Sequence, residues 1–146
     1  MSSSVEDVLA IQAVCKDLAA RTAYYSDLQD YASFVQLFTE DAQLTRPGGT
    51  PLVGRQAILD SYRAKSADRI TRHFVTNSVV YDITPGSASM SSYVLLWSSS
   101  TNEPVEAFGR KANARQVAGE FIDKVVLTDD GWKIAERSAI FHMYTD

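Results

Sequence analysis

Apolar residues recur every three or four positions over residues 5–25, a spacing that places them on one face of a helix. This face consists of Val8, Ile11, Cys15, Leu18, Thr22 and Tyr25. Ser4 and Asp7 provide a helix cap and an acidic first turn. We therefore expect a long amphipathic helix that packs against a broad surface.

Two shorter helices are predicted after the first one. Asp30 is suited to cap a helix over residues 31–38, because its carboxylate can accept hydrogen bonds from free backbone N–H groups. Gly54 leads into a helix over residues 55–65. Its predicted inner face contains Ile58, Leu59 and Tyr62.

From Ile70 onward the pattern has the period of β-strands. Turn residues such as Pro47-Gly48-Gly49 and Asp130-Gly131 divide the strands, and Asp-Gly favours tight hairpins. The predicted strands cover residues 42–45, 50–53, 70–83, 88–98, 115–128 and 132–143. Helices followed by antiparallel strands are typical of an α+β domain with its helices on one face of a curved sheet.

The composition fits a single domain over residues 1–146, with 45% hydrophobic and 22% charged residues. A net charge of -4 argues against general attraction to nucleic acid or to anionic membranes. No stretch approaches the roughly 20 apolar residues of a membrane-spanning helix. The first residues lack the pattern of a signal peptide, so we expect a cytoplasmic protein.

The cysteine and histidines suggest no cofactor or metal. Cys15 is the single cysteine, which excludes an intramolecular disulfide and favours a core position. Two distant histidines, His73 and His142, form no recognisable ligand cluster with it, and no glycine-rich nucleotide-binding pattern is present. We expect His142, four residues from the end, to be exposed.

Asp27 and His73 are the residues best placed for chemistry. Asp27 lies near the carboxyl end of the first helix, where the helix dipole disfavours a negative charge, so it requires a partner or water. His73 lies in a predicted strand whose alternation places His73, Val75 and Asn77 on one face, which we assign inward. An inward histidine paired with an aspartate can be catalytic or purely structural.

Positions along nearly the whole chain carry a family resemblance. They are Tyr25 to Asp30, Phe34, Leu37-Phe38, Asp41-Ala42, Gly54, His73, Asn77, Gly119, Phe121, Asp123 and Asp130 to Ile134. In order and spacing the chain resembles the SnoaL-like branch of the nuclear-transport-factor-2-like superfamily, which includes scytalone dehydratase, ketosteroid isomerase-type proteins and lindane dehydrochlorinase. The resemblance implies a cone-shaped antiparallel or mixed sheet wrapped around the first helix, a deep apolar pocket, and a homodimer or homotrimer.

The resemblance also implies a cofactor-independent lyase or isomerase that acts on a small hydrophobic, aromatic or polycyclic molecule. In this interpretation Asp27 orients His73, and His73 takes or delivers a proton as general acid or base. Residues expected to contact the substrate are Tyr24, Tyr25, Asn77, Ser91, Tyr93, Trp97 and Phe121. The chain departs from scytalone dehydratase because the strand after His73 has no second histidine, and it does not match the carboxylate pattern of ketosteroid isomerase.

Two alternatives stay open. The protein can be a non-catalytic ligand-binding or assembly subunit, like the small subunit of ring-hydroxylating dioxygenases, which shares this fold. The basic segment over residues 107–115 can be a solvated loop, or it can be a lid or an anion-attracting rim over a pocket.

Overall fold

The computed structural model describes residues 4–146 and begins with the long helix α1, Val5–Asp27. The predicted cap is present, because the Ser4 hydroxyl accepts a hydrogen bond from the Asp7 N–H and the Asp7 carboxylate accepts one from the Ser4 N–H. The predicted apolar face is confirmed, since Ile11, Cys15 and Leu18 are buried in the core. Burial of this face anchors α1 against the sheet.

Two short helices complete the helical layer, α2 (Tyr31–Val35) and α3 (Arg55–Arg63). Asp30 caps α2 as predicted, by accepting a hydrogen bond from the Ser33 N–H. The prediction that this helix continues to Phe38 was wrong, because Phe38 is fully buried and pairs with Ile134 in the sheet. None of the helices in residues 4–146 is long and apolar enough to cross a membrane.

The six strands form one unclosed mixed sheet in the order β2-β1-β6-β5-β4-β3. They are β1 (Phe38–Thr45), β2 (Leu52–Val53), β3 (Arg69–Thr84), β4 (Ser87–Ser100), β5 (Gln116–Thr128) and β6 (Gly131–Thr145). Only β1 and β6 pair in parallel, and the other neighbours pair antiparallel. The predicted α+β architecture, with a sheet around the long first helix and two further helices, is confirmed.

Irregularities in β3 change which residues face inward. The pairing with β4 shifts after Thr76, where Asn77 adopts a positive φ of 52°. A bulge adds one residue to a strand and reverses the faces that follow it. Asn77 is therefore exposed, which corrects the inward position expected from simple alternation, and Ser78 and Val80 are the partly buried residues beyond it.

A second irregularity brings β5 and β6 very close at Gly119. The pairing shifts between Ala118 and Gly119, and a Cβ atom at Gly119 would lie 2.3 Å from the carbonyl oxygen of Ile140. Only glycine fits this approach, because it has no Cβ atom. The atom that a Cβ would contact is a backbone oxygen, which cannot move aside as a flexible side chain could. Gly119 and Ile140 both lie on the wall of the pocket described below.

Candidate active site

Asp27 is the last residue of α1, and its carboxylate accepts three hydrogen bonds from β3. Oδ1 accepts from the Thr71 hydroxyl at 2.9 Å and contacts His73 Nδ1 at 2.6 Å, and Oδ2 accepts from the His73 backbone N–H at 2.9 Å. These donors compensate a negative charge at the helix end that the dipole disfavours. They also fix α1 to β3 at the position of the histidine.

The carboxylate determines the tautomer of His73. An ionised carboxylate can only accept hydrogen bonds, so Nδ1 carries the proton and Nε2 is left as the basic nitrogen. Nε2 has no hydrogen-bond partner among residues 4–146. The His73 side chain is 19% exposed and lies on a pocket wall, while Asp27 is 12% exposed and lies behind it. The arrangement can accept a proton from a bound molecule and return it.

The pocket that contains His73 has a volume of about 310 Å³ and lies between the concave face of the sheet and the ends of the helices. Its apolar wall is formed by Val94, Leu96, Val117, Phe121, Ala139, Ile140 and Phe141. Its polar wall is formed by Ser26, Gln29, Tyr31, Tyr62, Thr71 and Glu120, and three cations join it at Arg46, Lys65 and Arg69. This mixture suits a compact apolar molecule with a few polar substituents.

Phe121 is the one residue among the predicted substrate contacts that lines this pocket. Ser91, Tyr93 and Trp97 instead occupy the outer face of β4, where Tyr93 is 55% exposed. The inner face carries the alternate residues, since Met90, Ser92 and Val94 are buried.

Tyr24 and Tyr25 also lie outside the pocket wall. Tyr24 is 60% exposed at the end of α1, and Tyr25 packs against the core. Asn77 lies outside it as well, because the bulge turns it to solvent.

The basic segment over residues 107–115 lies outside the pocket that contains His73. Asn113 donates its backbone N–H to the Ser98 carbonyl, and Ser99 donates its hydroxyl to the Lys111 carbonyl, so the segment lies along the end of β4. It contributes Phe108 and Arg110 to a separate depression of about 420 Å³ that also includes Trp97. No residue of the segment lines the His73 pocket.

The polar end of the pocket, which includes Arg46, Tyr62 and Lys65, was not predicted from the sequence. The guanidinium of Arg46 and the ammonium of Lys65 each lie 4.1 Å from the ring centroid of Tyr62, where both make cation–π contacts. Burial, followed by the charges of Arg46 and Arg69, lowers the pKa of Lys65 to about 8. The available signal was the position of these residues beside the Pro47-Gly48-Gly49 turn and the end of α3, but nothing local indicates that they converge.

A buried ion pair packs against Phe121 of the pocket wall. Arg137 donates to both carboxylate oxygens of Asp123 at 2.7 and 2.9 Å and to the Thr22 hydroxyl at 2.9 Å. Its guanidinium also lies 4.0 Å from the ring centroid of Phe121. Because Arg137 and Asp123 are almost fully buried and paired, they fix Phe121 in the wall and have no free group for chemistry.

The second histidine belongs to the surface. His142 Nε2 lies 3.1 Å from the carboxylate of Glu120, and the His142 side chain is 42% exposed. Within residues 4–146 no three His, Cys, Asp or Glu side chains lie together in a way that could hold a metal ion.

The chain belongs to the SnoaL-like domain family, whose model matches residues 4–138. A search of curated proteins finds no match to its sequence. A provisionally assigned scytalone dehydratase from Novosphingobium aromaticivorans DSM 12444 is 22% identical, with a TM-score of 0.83 over 98% of this chain and 91% of that chain. A hexachlorocyclohexane dehydrochlorinase, LinA Type2, is 19% identical, with a TM-score of 0.81 over 97% and 92%.

A provisionally assigned aromatic ring hydroxylase from Novosphingobium aromaticivorans has a higher identity of 28%. Its TM-score is 0.74, over 97% of this chain and 93% of that chain. Together these similarities place the chain in the nuclear-transport-factor-2-like fold, as the resemblance of its motifs implied.

Proposed function

We propose that the protein is a cofactor-independent lyase or isomerase that acts on a small hydrophobic molecule, aromatic or polycyclic, by proton transfer through His73. The observation that carries this proposal is the Asp27–His73 pair at the wall of an open pocket. Asp27 holds the Nδ1–H, so Nε2 is available as a base next to the bound molecule.

The reaction follows from this tautomer. Nε2 takes a proton from the carbon next to a carbonyl group, and the electron pair of the C–H bond shifts toward the carbonyl oxygen to give an enolate. In an elimination this pair returns, forms a double bond to the β carbon and expels the leaving group that the β carbon carries. In an isomerisation of a β,γ-unsaturated ketone the pair moves the existing double bond, and the imidazolium returns the proton to the γ carbon. Asp27 stabilises the imidazolium in both cases, because its negative charge lies 2.6 Å from Nδ1.

Tyr31 is suited to assist at the polar side of the pocket. Burial raises the pKa of its phenol, and the nearby Tyr62 hydroxyl adds to this, while Arg46 and Arg69 act in the opposite direction. A phenol that stays protonated can donate a hydrogen bond to a polar substituent of the bound molecule on this side of the pocket. Of the three tyrosines named from the sequence, Tyr24 and Tyr93 lie too far toward solvent for this role, and Tyr25 packs against the core outside the pocket wall.

The pocket and the similar structures support the substrate class. About 310 Å³ with a wall of aliphatic and aromatic side chains suits one or two fused rings. Two similar structures carry the names of eliminating enzymes, a dehydratase and a dehydrochlorinase, which favours elimination over isomerisation. Since this chain has no second histidine on β4, the single base would serve both for removing and for delivering the proton.

Turnover by substituted variants tests the proposal. Wild-type protein is screened against one- and two-ring ketones with a leaving group β to the carbonyl, and double-bond formation is followed by ultraviolet absorbance. His73→Ala should lower turnover by about two or more orders of magnitude, because a general base contributes this much. His142→Ala is the matched control, since it removes the exposed histidine outside the pocket. Full activity of His73→Ala would refute the assignment.

The second candidate is a non-catalytic subunit that assembles through the outer face of the sheet. This face carries seven exposed large apolar side chains: Phe74, Val79, Tyr81, Tyr93, Leu95, Trp97 and Ile122. A second copy of the chain would cover them in a homodimer or homotrimer. A wild-type protein that binds members of the ketone panel and turns over none of them would favour this candidate.

A further inference from the structure

We infer that Arg46, Lys65 and Arg69 form a binding subsite for an anionic substituent of the substrate, a carboxylate on its ring system. This inference rests on the proposed function only in taking the His73 pocket as the substrate site. It assigns the binding of an anion to the end of the pocket opposite His73. It also adds a negative charge to the proposed substrate.

These three cations come from separate parts of the fold and lie on the wall of one pocket. Arg46 directly follows β1, Lys65 follows α3, and Arg69 is the first residue of β3. All three lie on the wall of the same pocket as His73. Gln29 holds the third element in position, because its amide donates hydrogen bonds to the carbonyls of Ala67 and Arg69 at 3.2 and 2.9 Å.

The cluster lacks negative charge of its own. No carboxylate among residues 4–146 forms a salt bridge with any of the three cations. Glu120 reaches the same pocket, but its carboxylate pairs with His142. An isolated group of like charges is unfavourable unless an anion completes it.

Arg46 gives the most specific sign of a missing partner. Its Nε and one terminal nitrogen, Nη2, are buried and have no hydrogen-bond partner. Buried guanidinium donors without acceptors are rare in proteins because their desolvation is costly. The planar fork of an arginine matches the two oxygens of a carboxylate, which would satisfy both donors at once.

The surroundings of Lys65 also disfavour its positive charge. Its pKa falls to about 8 through burial and the charges of Arg46 and Arg69. The other titratable groups at this end are Tyr31 and Tyr62, while Glu120 lies on the same pocket wall beyond His73, and none of the three forms an ion pair with Lys65. A bound anion would favour the protonated amine and raise this pKa again.

The strand geometry sets the size of the substrate. Arg69, Thr71 and His73 alternate along β3 and share the pocket face. Four residues of strand span about 13 Å, and the side chains reach inward from both ends. A molecule with its carboxylate at the cations and its acidic carbon at His73 therefore needs a framework of one or two rings.

The affinity of a matched pair of probes tests the subsite. We would measure the binding of 2-naphthoate and of its neutral analogue 2-naphthamide by calorimetry at low ionic strength and pH 7. Wild-type protein should bind naphthoate about tenfold or more tightly, as expected for a charge-assisted hydrogen-bonded pair. Arg46→Gln and Lys65→Gln should each lose most of this preference. Arg63→Gln, at the exposed end of α3, is the control and should keep it.

A further arm uses the titration of Lys65. Between pH 7 and 9 the affinity of wild-type protein for naphthoate should fall, while its affinity for naphthamide stays constant. Arg69→Gln adds a variant at an exposed residue in case Arg46→Gln fails to fold, and far-ultraviolet circular dichroism checks each protein. Equal affinity for the two probes, no binding of naphthoate, or an unchanged preference in all three variants would overturn the inference.

The test is separate from that of the proposed function. His73→Ala should retain the preference for naphthoate, because His73 lies at the other end of the pocket. If the charge preference is present but His73→Ala keeps full turnover, the catalytic proposal fails and the subsite stands. If wild-type protein shows no charge preference but His73→Ala is inactive, the subsite fails and the catalytic proposal stands.

Discussion

Asp27→Asn offers the most informative perturbation, because the carboxylate accepts three hydrogen bonds and an amide can accept only at its oxygen. If the amide oxygen occupies the Oδ1 position, the NH₂ group faces the backbone N–H of His73 and leaves that donor unpaired. If the amide is turned over, its NH₂ group faces Nδ1 of His73. Nδ1 must then become the acceptor, and the proton moves to Nε2.

Either orientation has a measurable consequence. An unpaired donor costs about 1–3 kcal/mol when it is fully buried, so for the partly buried N–H of His73 this is the upper range, which corresponds to a decrease in the melting temperature of at most roughly 3–12 °C for a domain of this size. The turned amide removes the basic lone pair from Nε2, and a histidine in the wrong tautomer lowers turnover by as much as about 10⁴-fold. We therefore expect Asp27→Asn to be less stable, to be nearly inactive, or to be both.

The assay for stability and tautomer needs no substrate. Differential scanning calorimetry gives the melting temperature, and ¹⁵N–¹H multiple-bond NMR at pH 8 identifies the protonated nitrogen of His73. Asp30→Asn is the matched control, because Asp30 caps α2 and asparagine caps a helix as well as aspartate does. A variant at position 27 that keeps both the wild-type melting temperature and the Nδ1–H tautomer would refute this account of the pair.

Three further outcomes are expected. Gly119→Ala should lose about 1–3 kcal/mol of stability in urea unfolding, because its Cβ would meet the Ile140 carbonyl, whereas Gly86→Ala, in open space, should show no steric loss. The free energy of unfolding should rise between about pH 8 and 10, because the lowered pKa of Lys65 leaves the folded protein with fewer bound protons than the unfolded chain, and Lys65→Gln should lack this rise. Sedimentation at micromolar concentration should show a dimer or trimer, and a clean monomer would contradict assembly through the outer sheet face.

The helices were more predictable than the faces of the strands. The cap at Ser4, the buried stripe of α1 and the cap at Asp30 depend on residues close in sequence, and each was found where the pattern predicted it. The end of α2 was not, because the burial of Phe38 beside Ile134 in the sheet outweighs the local helical pattern.

Strand alternation left a two-fold ambiguity. A period of two separates Ser91, Tyr93 and Trp97 from the residues between them, but it does not say which set faces the pocket. The expected substrate contacts of Ser91, Tyr93 and Trp97 require this set to face the pocket, whereas the structure places it on the outer face. The bulge at Asn77 adds a second source of error, because nothing in a single sequence marks where the pairing shifts.

The order of the helices and strands and the selection of Asp27 follow from the sequence, because capping, amphipathic spacing and the helix dipole are local effects. Which side chains come into contact depends on how the whole chain packs. Asp27 and His73 lie 46 positions apart and are joined by two hydrogen bonds, and a third joins Asp27 to Thr71. Arg46, Lys65 and Arg69 converge on one pocket from three elements. Such contacts depend on strand register and sheet curvature, which the packing of the whole chain sets.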